Sequence, residues 1–374
     1  MRHNRGLSLL VVLGVVSAPA MTPCPDGPAP LAWERVDVVF VLDTTGSMSG
    51  MIEGAKEKIW SIVTAIARSQ PAPLLRMGLL AYRDRGDAYV TQSLPLTGDM
   101  DVLYERLLGL EAEGGGDLPE SVNEALRAAV SEFDWDQGAR TLRLAFLVGD
   151  APPHRSRGGG DVPYQTSVAR ARQRGVRIHA LQCGEDGRTE EVWREIAATA
   201  GGAYLRLPQS GGARTLRTPY DDLLAKHGAL LDETRQPYGD AAAIDQAVAR
   251  RKRAEGIRTG SSAEALADRA AYLGTGRERA VTGVDLVADV AAGRVRLEEI
   301  PEEQLPEALR RNSPEMRPRY LEQLAAREQG LLEEINYLAD ARRRFAQESA
   351  GASGDGFDAR ILDLLRCDGL GGQP

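Results

Sequence analysis

Residues 39–48 read VFVLDTTGSM. Four apolar, strand-forming residues lead into an aspartate, and a glycine then sits among three hydroxyl side chains. A core strand gains nothing from Asp43, Thr44, Thr45 and Ser47 unless something satisfies them, because an unpartnered polar group costs free energy away from water. The stretch therefore predicts a buried strand whose carboxyl end opens onto a ligand.

From Val36 to about Leu207 short apolar runs alternate with amphipathic stretches, the pattern of a mostly parallel sheet flanked by helices. Strands are expected at Val36–Leu42, Arg76–Tyr82, Arg143–Val148, Arg177–Gln182 and Ala203–Arg206, with a short antiparallel edge at Tyr89–Ser93. Helices are expected at Met51–Arg68, Asp101–Leu110, Pro119–Glu132, Tyr164–Arg174 and Glu190–Thr199. In the first of these Ile52, Ala55, Ile59, Ile62, Val63 and Ile66 recur at helical spacing, so one face should lie on the sheet. The fold class expected is α/β, a Rossmann-like doubly wound, mostly parallel sheet followed by a mainly helical C-terminal region.

Ligands of open sheets bind outside the carboxyl ends of the strands. The first strand ends in Asp43-Thr44-Thr45-Gly46-Ser47, and the run 143–148 ends in Gly149-Asp150-Ala151-Pro152-Pro153-His154. Between them lies GGGDLPE, residues 114–120, a flexible loop with Asp117 just before a helix start. If the order of elements holds, Asp43, Asp117 and Asp150 converge with the hydroxyls of Thr45 and Ser47. Like charges so close need a compensating cation. An all-oxygen set without His or Cys suits a hard divalent ion, Mg2+ first, with Mn2+ or Ca2+ as alternatives.

DTTGSM (43–48) resembles the D-x-[ST]-x-S motif of the metal-ion-dependent adhesion site in von Willebrand factor type A domains, of the kind found in secreted bacterial proteins. The resemblance covers about residues 33–207, with Asp43, Thr45 and Ser47 on the first motif and Asp150 on the aspartate after the fourth strand. Asp117 stands where the family commonly has a threonine; a subset with a G-G-G-D-x-P-E loop shares the aspartate. Tyr82-Arg83-Asp84 and Asp150-Ala151-Pro152-Pro153-His154 look like that subset too. The resemblance implies an adhesion or assembly module: a cation binds, and a protein ligand completes the metal shell through an acidic residue. A third protein carboxylate would hold the ion more tightly and weaken its pull on that acid. The resemblance supplies no catalytic residue set, so no enzymatic activity is expected. A metal-dependent hydrolase, or a scaffold whose ion only ties loops together, are the alternatives.

The rest of the chain bounds the setting. Of 374 residues, 43% are apolar and the net charge is −8, which argues against a nucleic-acid or anionic-membrane binder. Residues 1–20 carry Arg2 and Arg5, an apolar run from Leu7 to Val16 and Ala18-Pro19-Ala20, the order of a secretory signal peptide. A secreted or periplasmic protein without an integral span after cleavage is expected. Met21-Thr22-Pro23 makes a poor lipoprotein signal before Cys24. Cys24 and Cys367 near the two ends are candidates to pair, and Cys183 reads as a small buried hydrophobe. Residues 208–280 read as a linker or helical segment and 281–374 as a helical C-terminal region. Ser313-Pro314 resembles a helix start, and a stripe from Tyr320 to Phe345, broken by Glu328 and Arg342, predicts a coiled coil or helical hairpin over 314–347. A short terminal helix is expected at Phe357–Leu365. His154 reads as a loop contact and His179 as a core or sheet residue.

Overall fold

The computed structural model describes residues 33–116, 119–154, 162–212, 216–278, 284–349 and 357–370. The signal peptide expected at 1–20, Cys24 and Asp117 fall outside them. Six strands, β1 (Arg35–Asp43), β2 (Leu74–Tyr82), β3 (Thr91–Thr97), β4 (Thr141–Gly149), β5 (Val176–Cys183) and β6 (Tyr204–Leu207), form one sheet in the order β3-β2-β1-β4-β5-β6. Every pairing is parallel except that of β3 with β2. The expected edge is therefore present, starting two residues and ending four residues later than the sequence suggested.

Alternation along β1 sends Val36, Val38, Phe40 and Leu42 into one buried layer and Val39 and Val41 into the other, as the period-two pleat requires. On the second face lie α3 (Val122–Ser131), α4 (Tyr164–Gln173) and α5 (Gly187–Thr199). On the first lie α1 (Ser49–Ala67) and α2 (Met100–Leu108). Asp99 caps α2 by accepting from the Asp101 and Val102 amides, and Asp186 caps α5 by accepting from the Thr189 amide.

After β6 the chain is helical: α6 (Asp221–Glu233), α7 (Ala241–Gly260), α8 (Ala263–Leu273), α9 (Leu286–Ala291), α10 (Glu307–Arg310), α11 (Arg317–Ser349) and α12 (Phe357–Cys367). These helices share one apolar core with the first face of the sheet, through Leu224, Leu231, Ala267, Ala270, Ile335 and Phe357. Helix α8 packs on α1, and α7 crosses α2 with Arg253 bonded to Glu105 at 2.9 Å. Beneath them the Arg269 guanidinium clamps buried Asp101 through two hydrogen bonds of 2.8 and 2.6 Å and reaches Asp232 at 2.7 Å. Burial pushes the Asp101 carboxyl up, and Arg269 more than reverses it, so the net shift is downward.

The stripe expected to make a coiled coil or hairpin over 314–347 is one uninterrupted helix, Arg317–Ser349, laid against α6, α8 and α9. Gly330 does not break it, and its buried positions face other helices rather than a folded-back half. Arg342, a flaw in the apolar stripe, binds Asp221 at 2.6 Å and also Asp268, so it pins α11 to both α6 and α8.

The last helix returns to the sheet. Phe357 is fully buried with its ring centroid 6.2 Å from that of Phe40, which in turn stacks on Phe146 at 5.4 Å. Just beyond α12, Asp368 accepts from His179 Nε2 at 2.8 Å and pairs with Arg177, while its carbonyl accepts from Trp33 Nε1 at 2.9 Å. His179 Nδ1 accepts from the Ala203 amide at 3.1 Å, which makes Nε2 the donor to Asp368. His179 is thus a core residue with both nitrogens engaged. Cys183 is buried and free, whereas Cys367 is disulfide-bonded. Among the described residues no helix is long and apolar enough to cross a membrane.

Because Phe357 is buried against Phe40 in the layer over β1, Phe357→Ala is expected to cost about 3–5 kcal/mol of stability. Urea unfolding followed by circular dichroism checks it; an unchanged midpoint would show that α12 does not seal this core.

Candidate functional site

Strand order reverses between β1 and β4, and the loops leaving those two strands diverge there. Asp43 ends β1 with no solvent exposure. Its Oδ1 accepts from the Thr45 amide at 2.9 Å and from Thr45 Oγ1 at 2.7 Å, and Thr45 Oγ1 lies 3.3 Å from Ser47 Oγ. Asp43 Oδ2 is buried with no hydrogen-bond partner among the described residues. Thr44 serves the scaffold: its hydroxyl meets the Tyr82 carbonyl at 3.0 Å and Tyr89 Oη at 2.8 Å. Its carbonyl accepts from Arg83 Nε at 3.1 Å.

Beside Asp43 the end of β4 is Gly149. A side chain there would meet Tyr82 Oη at 2.5 Å and Asp43 Cβ at 2.9 Å, so only glycine lets the two strand ends lie this close. Asp150 follows, half-buried at the mouth, and its Oδ2 accepts from Gln209 Nε2 at 2.7 Å. The same Nε2 donates to the Ser47 carbonyl at 3.1 Å, so Gln209, just after β6, ties the two loops together.

The glycine-rich loop closes the third side. Gly114 and Gly115 adopt φ of +74° and +70°, which other residues rarely adopt, and the Gly114 carbonyl accepts from the Gly46 amide at 3.1 Å. Asp87 Oδ2 accepts from the Gly115 and Asp84 amides, both at 3.0 Å. After the two undescribed residues the chain resumes with Pro119 and Glu120. Glu120 is locked by its backbone to the loop after Asp150: its amide donates to the Pro152 carbonyl at 3.0 Å and its carbonyl accepts from the His154 amide at 3.2 Å. His154 Nε2 pairs with Asp84 Oδ1 at 2.6 Å, and Ser121 donates to the same oxygen at 3.0 Å. The histidine is a loop contact, as its proline-rich setting suggested.

These elements line a cleft of about 360 Å3 bounded by Thr45, Ser47, Gly115, Glu120, Asp150 and Gln209. A larger cavity, about 610 Å3, lies between α6, α7 and α8 and contains none of the expected site residues. Burial pushes the Asp43 carboxyl up to about 7, and the Asp150 carboxylate adds to the effect against the two Thr45 hydrogen bonds. Burial also pushes Glu120 up to about 8, helped by Asp43, Asp84 and Asp150. The Tyr82 hydroxyl, buried and without a hydrogen-bond partner among the described residues, is held well above its usual range by burial and by Asp43, Asp150 and Glu120.

Of the expected residues, Asp43, Thr45, Ser47 and Asp150 therefore meet at one sheet edge, and Asp117 lies outside the described residues. Glu120, Gln209 and Tyr82 were not expected there. Glu120 stood in the quoted loop but read as a helix-start residue; Gln209 carried no signal. Among the described residues no group of three or more His, Cys, Asp and Glu side chains is arranged to hold a metal by itself. The donor set instead mixes carboxylates with hydroxyls. It fits a small hard cation, because two buried carboxyls each leave an oxygen, Asp43 Oδ2 and Glu120 Oε2, without a hydrogen-bond partner among the described residues.

Residues 37–215 match the family model described as von Willebrand factor A domain, and the chain carries that domain over this stretch. Such domains commonly mediate protein–protein interaction. A curated relative, an ariadne-like RING finger protein of Acanthamoeba polyphaga mimivirus, is 29% identical over 126 residues, 34% of this chain and 12% of that protein. An aerotolerance-related membrane protein from Bacteroides fragilis is 16% identical over 47% of this chain and 92% of its own, with a TM-score of 0.32. The pilus adhesin SpaC from Lactobacillus rhamnosus GG is 15% identical over 49% of this chain and 29% of its own, with a TM-score of 0.36.

A carboxyl whose pKa is higher in the folded than in the unfolded state binds extra protons on folding, so its contribution falls as pH rises between the two values. With Asp43 at about 7 and Glu120 at about 8, the melting temperature in chelator is expected to fall from pH 5 to pH 8. Asp43→Asn should flatten that fall. Scanning calorimetry across this range in EDTA checks it, and an equally steep decline in the variant would contradict the assignment.

Proposed function

We propose that this chain is an exported adhesion or assembly protein whose von Willebrand factor A domain holds a divalent cation, Mg2+ first, and binds a protein ligand in a cation-dependent way. The observation that carries the reading is the buried Asp43 carboxyl. One of its oxygens orders Thr45 and the other has no hydrogen-bond partner among the described residues, at the strand end where Ser47 and Asp150 also arrive. Asp43, Thr45, Ser47 and Asp150 would hold the ion, with Asp117 as the further carboxylate drawn from the motif. The ion would offset the mutual repulsion of these carboxylates and draw the three loops into one binding face. The partner would complete the coordination on the open side of the cleft. Export rests on the signal-like order of residues 1–20.

Titration of MgCl2 into chelator-stripped protein is expected to give a saturable calorimetric response that Asp43→Ala abolishes. Absence of heat and of any thermal shift in the wild type would sink the reading. Affinity capture from envelope extract should then recover a partner with Mg2+ but not with EDTA. The Ser47→Ala, Asp150→Ala double variant should lose that partner; retention would mean that the tail makes the contact and the ion only ties loops.

A further inference from the structure

The cavity of about 610 Å3 between α6, α7 and α8 shares no residue with the strand-end cleft, and its volume is that of a site for a small organic molecule. Close-packed interiors leave few voids larger than a water molecule, so a gap of this size needs a reason. It opens where the main apolar core meets the smaller cluster around α9: Leu266 packs on the first, and Leu305 belongs to the second.

Helix α7 forms one wall, and it is thinly held. Of its 20 residues only Ile257 is buried, its main neighbour is α2, and Arg253 ties it there to Glu105 at 2.9 Å and to Asp99 at 3.5 Å. Helices in proteins draw most of their stability from packing an apolar face. Ile244, Ala247 and Ala254, at helical spacing, turn such a face to the cavity, opposite Ala225 and Ala229 of α6. Small side chains on both walls keep the space open, and an apolar body inside it would give that face of α7 something to pack on.

The charges divide between a buried floor and an exposed mouth. On the floor the acids are answered within the fold: Arg269 holds Asp101 and Asp232, and Asp285 accepts from the Gln236 and Val287 amides, both at 3.2 Å. Arg235 is engaged as well, by Glu278. At the mouth Glu255 pairs with Arg258 and Glu307 with Arg311. Exposed Arg251 of α7 and Arg310 of α10, by contrast, have no salt bridge among the described residues. With Arg250 they set three guanidinium groups against the two remaining carboxylates, Glu233 and Glu303, so the mouth is cationic in a chain of net charge −8. We infer that the cavity binds an amphipathic organic anion, with its apolar body between α6 and α7 and its anionic head at Arg251 and Arg310.

Binding is measured on the full-length chain in EDTA, which keeps the outcome separate from that of the cation reading. Anilinonaphthalene sulfonate, an aromatic body with one anionic group, is expected to give a saturable rise in fluorescence, and dodecanoate below its micellar concentration should displace it. Absence of saturable binding overturns the inference. Dodecyltrimethylammonium carries the same chain with the opposite charge and should displace the dye poorly; displacement equal to that by dodecanoate overturns the assignment of an anion. Ala247→Phe, which fills the cavity, is expected to abolish dye binding while the melting temperature holds or rises. The double variant Arg251→Glu, Arg310→Glu changes only exposed positions and should weaken dodecanoate binding roughly 10-fold, since two charge contacts are reversed. Wild-type affinity in either variant would put the ligand elsewhere and overturn the inference.

Discussion

A carboxyl group is buried where two parallel strands part company, and the geometry around it follows from that. Asp43 reaches this point because β1 pairs along its whole length with β2 on one side and over Arg35–Leu42 with β4 on the other. The flanking strands leave its backbone no freedom to turn the side chain to water. One oxygen is satisfied locally by Thr45, which sets the turn into α1. The other has no hydrogen-bond partner among the described residues. Gly149, the left-handed Gly114 and Gly115, and the Gln209 bridge are all ways of bringing neighbouring loops close without filling the gap.

Much of this was legible in the sequence because it is written in local chemistry. Val36–Leu42 and Arg143–Val148 are apolar runs of strand length, and the polar residues that end them are conspicuous for that reason. Asp43, Thr45, Ser47 and Asp150 could be assembled from order alone, since parallel strands place their carboxyl ends on one edge. Glu120 was visible as a letter in GGGDLPE but not as a direction. Its orientation is set by a parallel bridge to Pro153, a contact across thirty-odd positions of chain that no local pattern encodes. Gln209 was hidden for the same reason: a lone glutamine after a strand has no periodicity to betray what it touches.

The tail shows the opposite limit. Its helical character was legible, with two helices placed, at 314–347 and Phe357–Leu365, since amphipathic spacing is a property of one segment; the other helices and all their partners were not, because an apolar face does not name what it covers. The stripe through Leu321, Leu331 and Ile335 suited self-association as well as docking on three other helices. The charges that interrupted it pointed the right way once paired: Arg342 is a spoiled position in a zipper but a two-sided clamp between α6 and α8. Arg269 and Asp101 likewise look like ordinary surface residues in sequence and form a buried ion pair across the seam between sheet layer and tail.

The return of α12 to the sheet carries a consequence for how the chain is made. Phe40 and Phe146 belong to strands finished early in synthesis, yet the aromatic ring that packs against Phe40 is at residue 357. Until that residue exists, the apolar layer over β1, already partly covered by α1 and α2, lacks the ring that meets Phe40. Contacts of such sequence separation form slowly, because loop closure has to be paid before packing returns anything. The binding edge is thus assembled from residues up to Gln209, whereas part of the apolar layer behind it is completed only by the last helix.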